Sequence, residues 1–184
     1  PGGFGSLVSE RGGGFTFAKN SRGGRLTPFT NDPLHEGEGE RLQLSDGRAY
    51  ASLLPEQRGL AQPFRVEHRP GVSRFSSGAG TLLWTVEQFV DVDLPAKCLL
   101  VTIHNSGGLA RSLRLTASVD WLMGVNIDDA RLMRAFPEPP MLMASGSMEG
   151  YGFAALLTGD GHAPENLEID PSLGLRTQFS LAPG

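Results

Sequence analysis

Residues 112–121 read SLRLTASVDW, from Ser112 to Trp121, and this stretch decides the fold class because apolar and polar residues alternate over ten positions. Successive side chains of a β-strand point to opposite faces, so a strand between a core and solvent shows a period of two. The stretch therefore predicts a half-buried strand, with Trp121 as a core residue and Asp120 on the opposite side.

Similar patterns recur along the chain. Shorter alternating segments occupy residues 41–44 and 64–68. Continuous apolar runs occupy residues 82–92, 98–103 and 151–157. Runs without alternation are typical of central strands that are covered on both faces of a sheet. Together these segments predict a mostly β chain.

Turn-forming residues separate the strand candidates at Asp46–Gly47, Asn105–Gly108 and Gly159–Gly161. Such turns favour antiparallel hairpins, so we expect a large antiparallel β-sandwich with at most one or two short helices. Residues 127–136 are either a short helix, with acids in its first turn and Pro137 after its end, or an irregular connection. The acidic run Glu36–Glu40 is interpreted as a solvated loop.

Composition excludes several classes of function. The 184 residues include 25 glycines, 13 prolines and a single cysteine, and the formal net charge is −4. Because the basic residues are scattered, no electrostatic stripe for nucleic acid is present. No apolar stretch is long enough to span a bilayer, and Cys98 is interpreted as a buried, inert thiol. The four histidines show no metal-ligand spacing, so we expect no metal site.

The segment Gly12–Pro33, GGGFTFAKNSRGGRLTPFTNDP, is the main candidate for a binding site. Its glycines permit close approach of the backbone, its phenylalanines offer flat apolar faces, and its polar side chains offer many hydrogen-bonding groups. That combination suits a polyhydroxylated ligand such as a sugar. A structural loop of the same composition is an equally weighted alternative.

Residues 20–33, NSRGGRLTPFTNDP, resemble the NSRxxxLTPWSNDP stretch of glycoside hydrolase family 94, the glycoside phosphorylases. Residues 67–75, EHRPGVSRF, resemble that family's RHGxGYSRF. A strand, an Asn-Ser turn and a Trp-bearing strand then follow at residues 99–124, in the order found in the phosphorylase-like region of cyclic β-1,2-glucan synthases. The resemblance covers about two-thirds of the chain and weakens after Asn126.

The resemblance implies a supersandwich of the galactose-mutarotase-like kind, here residues 1–184 as one domain, which a helical linker joins to an (α/α)6 catalytic barrel. The general acid and most of the phosphate site belong to that barrel, so no residue of this chain is assigned as a catalyst, no cofactor is expected, and the fragment alone is expected to be inactive. Implied partners are a glucan oligosaccharide, inorganic phosphate on the barrel, the barrel itself and a second copy in a homodimer. The parent is implied to be a glycosyltransferase or glycoside phosphorylase of the bacterial inner membrane, with this domain at the cytoplasmic face.

Three positions depart from the family pattern. Phe29 stands where the family has tryptophan, Glu67 where it has arginine and Val72 where it has tyrosine. Glu67 reverses a charge, so a sugar contact of that arginine does not carry over, unless Arg69 or Arg74 substitutes for it. The candidate substrate-binding residues are Asn20, Arg22, Arg25, Thr27, Phe29, Asn31, Asp32, His68, Arg69 and Arg74.

Two classes of function compete at this point. In one, the domain helps to bind and position a glucan chain at the mouth of the barrel's active site. In the other, it is a structural or interaction module that holds the barrel or a dimer without touching sugar. A free-standing mutarotase-like protein is the weakest alternative, because such chemistry needs a positioned acid and base.

Overall fold

The computed structural model describes residues 3–9, 14–29, 39–55, 62–138, 141–146, 154–157, 168–170 and 174–184. These residues form fourteen β-strands and one short 3₁₀ helix, Ile127–Leu132. The strands are β1 (Phe4–Val8), β2 (Gly14–Ala18), β3 (Glu40–Ser45), β4 (Tyr50–Ser52), β5 (Arg65–Arg69), β6 (Val72–Ala79), β7 (Leu82–Val90), β8 (Lys97–Asn105), β9 (Arg111–Val119), β10 (Arg134–Glu138), β11 (Met141–Ser145), β12 (Ala154–Leu157), β13 (Glu168–Asp170) and β14 (Gly174–Leu181).

Two antiparallel sheets form the body of the fold. One has four strands in the order β5-β6-β7-β8, and the other has five in the order β13-β14-β9-β3-β4. The hairpin β1-β2 and the three-stranded sheet β10-β11-β12 are separate. The expectation of a mostly β chain built from antiparallel sheets is confirmed.

The main core lies between the two large sheets. Phe75, Trp84 and Val86 from the four-stranded sheet pack with leucines of β3 and β9 in one buried cluster. Alternation explains this packing, since every second residue of these strands faces the opposite sheet. Burial of such side chains is the main favourable contribution to the stability of the sandwich.

The two long apolar runs form strands, but the prediction that both of their faces are covered is wrong. β7 alternates between buried and partly or fully exposed residues. Leu83 on β7 is 49% exposed and Leu100 on β8 is 54% exposed. One face of the four-stranded sheet therefore lies open among the described residues.

The turn predictions had mixed outcomes. Asp46–Gly47 closes the hairpin between β3 and β4, as expected. Asn105–Gly108 closes no hairpin, because β8 and β9 belong to different sheets and the segment crosses between them. The third turn signal, Gly159–Gly161, lies outside the described residues.

Residues around the 3₁₀ helix also differ from expectation. Of the two alternatives for residues 127–136, the structure shows a short 3₁₀ helix that ends at Leu132. Phe136 and Pro137 belong to β10, so Pro137 does not end the helix. The strand of residues 112–121 ends at Val119, so Trp121 follows it. Trp121 packs, partly buried, against a second cluster of Leu26, Met123 and Ala144. Of the predicted strand at residues 151–157, the structure describes β12 alone.

Candidate functional site

The candidate loop, residues 19–29, begins with a tight turn after β2. The Asn20 Oδ1 atom accepts hydrogen bonds from the backbone N–H groups of Arg22 (2.8 Å) and Gly23 (2.9 Å). The Ala18 N–H donates to the Gly24 carbonyl and the Gly24 N–H to the Asn20 carbonyl, which closes the turn. Asparagine favours such turns because its short side chain mimics a backbone carbonyl. The side-chain oxygen of Asn20 is therefore used within the loop.

The second half of the loop is held between two segments of backbone. The Leu26 N–H donates to the Thr16 carbonyl on β2, and the Leu26 carbonyl accepts from the Leu122 N–H, each at 2.8 Å. The Arg25 carbonyl accepts from the Gly124 N–H at 3.0 Å. Because both sides of this segment are paired, the loop has the rigidity of a short strand at this point.

Arg25 lies inside an aromatic cluster. Its guanidinium carbon is 5.2 Å from the centre of the Phe15 ring, and its Nη1 donates to the Phe29 carbonyl at 3.2 Å. Phe15 is buried and stacks, tilted, between Phe17 at 5.9 Å and Phe29 at 5.0 Å. The geometry brings Arg25 and Phe29 together, and these contacts of Arg25 are made within the domain.

Thr27 connects the loop to the body of the domain. Its side chain is 2% exposed, and its Oγ1 accepts a hydrogen bond from the Thr16 N–H at 3.0 Å. The Thr16 Oγ1 in turn donates to the Glu40 Oε1 at 2.7 Å, and the Glu40 Oε2 accepts from the Lys97 Nζ at 2.5 Å. Thr27 therefore acts through packing and hydrogen bonding rather than at an exposed surface.

This network corrects the interpretation of the acidic run at Glu40, whereas Glu36 and Glu38 lie outside the described residues. Glu40 is the first residue of β3, and its side chain is only 17% exposed. It bridges β2 and β8, so it does not belong to a solvated loop. Nothing in the sequence pairs Glu40 with Lys97, which lies 57 residues away. The alternation that begins at Arg41 was the one signal that Glu40 lies next to a strand.

Among the candidate residues, Arg22 is an exposed cation of the loop. No hydrogen bond or ion pair occupies its guanidinium among the residues that the structure describes. The Asn20 side chain beside it is also exposed, and its amide nitrogen is not used by the turn. These two side chains offer donors to an external group. Asn31 and Asp32 lie outside the described residues.

His68, Arg69 and Arg74 lie on the β5-β6 hairpin, and the pleat divides them between two faces. His68 is exposed but lies on the face of the sheet that Phe75 also occupies, with its Nδ1 2.9 Å from the Ser73 Oγ and its ring edge-to-face with that of Phe75. Arg69 and Arg74 share the opposite face, as alternation along the paired strands requires. The structure therefore does not bring the three side chains into one cluster.

The two arginines are paired with acids. Glu67 bonds Arg65 at 2.7 Å and Arg69 at 3.0 Å, and the positive charge of Arg65, followed by the hydrogen bond from Arg69, holds its carboxyl pKa below the ordinary value. Arg74 contacts Glu87 at 2.6 Å, and this hydrogen bond raises the pKa of Arg74. In this arrangement Glu67 accepts from one nitrogen of Arg69 and Glu87 from two nitrogens of Arg74, so part of each guanidinium is used within the domain.

The loop and the hairpin turn nevertheless lie toward the same end of the sandwich. Lys97, which the loop reaches through Glu40, pairs with Val90 at the end of β7. The turn after Arg69 is at this end of the four-stranded sheet, because Val72 pairs with Phe89. Three strand spacings separate β5 from β8, or about 14 Å.

Within the described ranges, no three His, Cys, Asp or Glu side chains come together as metal ligands. The same residues include no helix of the length and hydrophobicity that crossing a membrane requires.

Residues 1–138 of this chain match the sequence family of the glycosyl hydrolase 94 supersandwich domain. The chain belongs to this family. The supersandwich domain is also 36% identical, over 126 residues, to the cyclic beta-(1,2)-glucan synthase NdvB of Rhizobium meliloti (strain 1021). The match takes in 67% of this chain and 4% of that protein, so the domain spans a small part of its relative's length. It is thus a sandwich domain of a carbohydrate-active enzyme family.

Proposed function

We propose that this supersandwich domain binds a glucan chain and positions it at the mouth of an active site in a barrel carried elsewhere in the parent enzyme. The observation that carries the proposal is the exposed Arg22 guanidinium beside the Asn20 amide, on a loop whose base is fixed by Thr27 and Arg25. A fixed loop loses little conformational entropy when a ligand binds.

The chemistry of the loop fits a polyhydroxylated ligand. Guanidinium and amide N–H groups donate hydrogen bonds to sugar hydroxyl oxygens, and the half-buried Phe29 ring provides an apolar surface nearby. The loop and the β5-β6 turn lie toward one end of the sandwich, which favours an extended oligosaccharide over a single sugar. Asn31 and Asp32 are proposed as further contacts on the basis of the sequence motif.

Bond cleavage and phosphate binding are assigned to the barrel. The parent is proposed to be a cyclic β-1,2-glucan synthase or a related glycoside phosphorylase, because the relative is named as a cyclic beta-(1,2)-glucan synthase. Its proposed location is the cytoplasmic face of the bacterial inner membrane. In this arrangement the domain contributes affinity for the glucan chain and no catalytic group.

A structural or interaction role is the second candidate, and a specific observation favours it. Arg25, Arg69 and Arg74 each make their polar contacts inside the domain. If Arg22 behaves in the same way in the parent, it pairs with an acid of the barrel or of a second subunit. Loss of Arg22 would then weaken assembly and leave glucan affinity unchanged once the parent is assembled.

The test replaces Arg22 with alanine in the full-length parent. Loss of a hydrogen bond from a charged group costs about 1.5 kcal/mol or more, so we expect KM for the glucan acceptor to rise about tenfold. Arg48→Ala is the matched control, because Arg48 is another exposed arginine without a side-chain partner among the described residues, in the β3-β4 turn at the far end of the sandwich. An unchanged KM in Arg22→Ala, or an equal rise in Arg48→Ala, would contradict the ligand role.

A further inference from the structure

Strand β8 lies at the edge of its sheet. The sheet order ends at β8, and no described strand lies beyond it. β8 has nine residues, which makes it one of the longest strands of the domain. An edge of this length presents a row of backbone groups that another strand can pair with.

The hydrogen bonds at both ends of β8 show which of its backbone groups face this open edge. The Ser106 N–H donates to the Thr81 carbonyl, and the Asp91 N–H donates to the Ala96 carbonyl. Both pairs continue the register of β7 with β8, so the even-numbered residues of β8 exchange hydrogen bonds with β7. The odd-numbered residues direct their N–H and C=O groups outward; these are Lys97, Leu99, Val101, Ile103 and Asn105.

The edge carries none of the features that usually prevent pairing. β8 contains no proline, and its register with β7 runs without a bulge from Lys97 to Asn105. Its one formally charged residue, Lys97, is at the end of the strand, and its ammonium group bonds Glu40. Natural sheets normally protect a free edge with charges, prolines or bulges. Their absence indicates that this edge is covered in the parent.

One hydrogen bond on the open edge is already made. The Gly184 N–H donates to the Asn105 carbonyl at 3.0 Å. The buried Asn105 side chain also donates through Nδ2 to the carbonyls of Leu181 (3.3 Å) and Ala182 (3.4 Å). Through these hydrogen bonds Asn105 holds residues 181–184, which follow β14 out of the five-stranded sheet, against the edge of the four-stranded sheet.

We propose that the polypeptide following Gly184 in the parent pairs with β8 as an additional antiparallel strand. Gly184 meets β8 at Asn105, the carboxyl end of that strand. A segment that continues from there along the edge towards Lys97 runs antiparallel to β8. Residues of the new strand that pair with Leu99, Val101 and Ile103 face the core, and we expect them to be apolar. A second copy is the less favourable occupant, because Gly184 already takes the first position of the ladder.

The inference shares with the proposed function only the premise of a longer parent. Strand addition starts at Asn105, at the end of β8 opposite Lys97, and its backbone ladder uses no group of Arg22 or Asn20. Failure of the Arg22 test therefore leaves the strand proposal standing, and the reverse also holds.

Hydrogen–deuterium exchange at residue resolution tests the proposal by comparing residues 1–184 with the full-length parent. In residues 1–184 we expect the amides of Leu99, Val101 and Ile103 to exchange at least about 100-fold faster than those of Leu100 and Thr102, which face β7. In the parent, all five amides should be protected. Leu100 and Thr102 are the internal controls in both proteins.

Two results would overturn the proposal. Fast exchange of the odd-numbered amides in the parent would show that its edge is open. Protection of the same amides in residues 1–184 would show that another group covers it, and protection that grows with protein concentration would identify that group as a second copy.

Discussion

At the scale of single residues, the candidate loop depends on a carboxylate that lies outside it. Glu40 accepts hydrogen bonds from both Thr16 and Lys97, and the Thr16 N–H donates a hydrogen bond to the Thr27 Oγ1. The motif predicted Thr27 as part of a site, but it gave no indication that the Thr27 side chain is buried. Partners so far apart in sequence become visible only in the folded chain.

Removal of this carboxylate should destabilise the domain. In Glu40→Ala the Lys97 ammonium, whose side chain is 13% exposed, loses its partner and the Thr16 hydroxyl loses its acceptor. We expect the free energy of unfolding to fall by about 2 kcal/mol, as urea denaturation would measure. Adding Lys97→Met should restore part of the loss, since it removes the unpaired charge. A double variant no more stable than Glu40→Ala would contradict the role of the pair.

Asp46 should make stability depend on pH in acid. The backbone N–H groups of Ala49 and Arg48, followed by Arg111, lower the pKa of Asp46 from 3.8 to about 2. Because the folded pKa is the lower one, this stabilisation is fully present above about pH 4 and is lost as the pH falls towards 2. We expect Asp46→Asn to lower the thermal midpoint at pH 6, with the difference from the native chain shrinking between pH 4 and pH 2. A difference that stays constant over this range would contradict the assignment.

At the scale of elements, local pattern predicted strands well and their neighbours poorly. Alternation located β3, β5 and β9, and Asp46–Gly47 marked a true hairpin. The Asn105–Gly108 turn has similar chemistry but crosses between sheets. Turn residues determine how the backbone bends, whereas the sheet that a strand joins depends on packing between residues distant in sequence.

The turn between β5 and β6 gives an element-scale prediction. Gly71 has φ of +80°, a conformation that side chains other than glycine adopt at a cost. We expect Gly71→Ala to lower the free energy of unfolding by about 1 kcal/mol. The control is Gly108→Ala, because Gly108 has no positive φ and space around it is open. Equal effects of the two substitutions in urea denaturation would show that the turn conformation does not matter.

At the scale of the whole molecule, the family and the mostly β architecture were accessible from sequence motifs. The sequence motifs did not show which of the candidate residues lie on the same face of the sheet. Arg69 and Arg74 match the motif RHGxGYSRF in part, yet both are paired with acids on the face opposite His68. Motif spacing gives neighbours along the chain, whereas the sheet register decides which side chains share a face. Of the candidate residues in the loop, Arg22 and Asn20 remain as exposed donors.

The most direct measurement of the central claim is a structure of the full-length parent with a bound β-1,2-glucan oligosaccharide. We expect sugar hydroxyls within about 3 Å of the Arg22 guanidinium and the Asn20 amide, with the chain passing from the loop to the barrel's active site. An oligosaccharide held entirely by residues outside this domain, with Arg22 paired to an acid of the barrel, would contradict the account and establish the structural role instead.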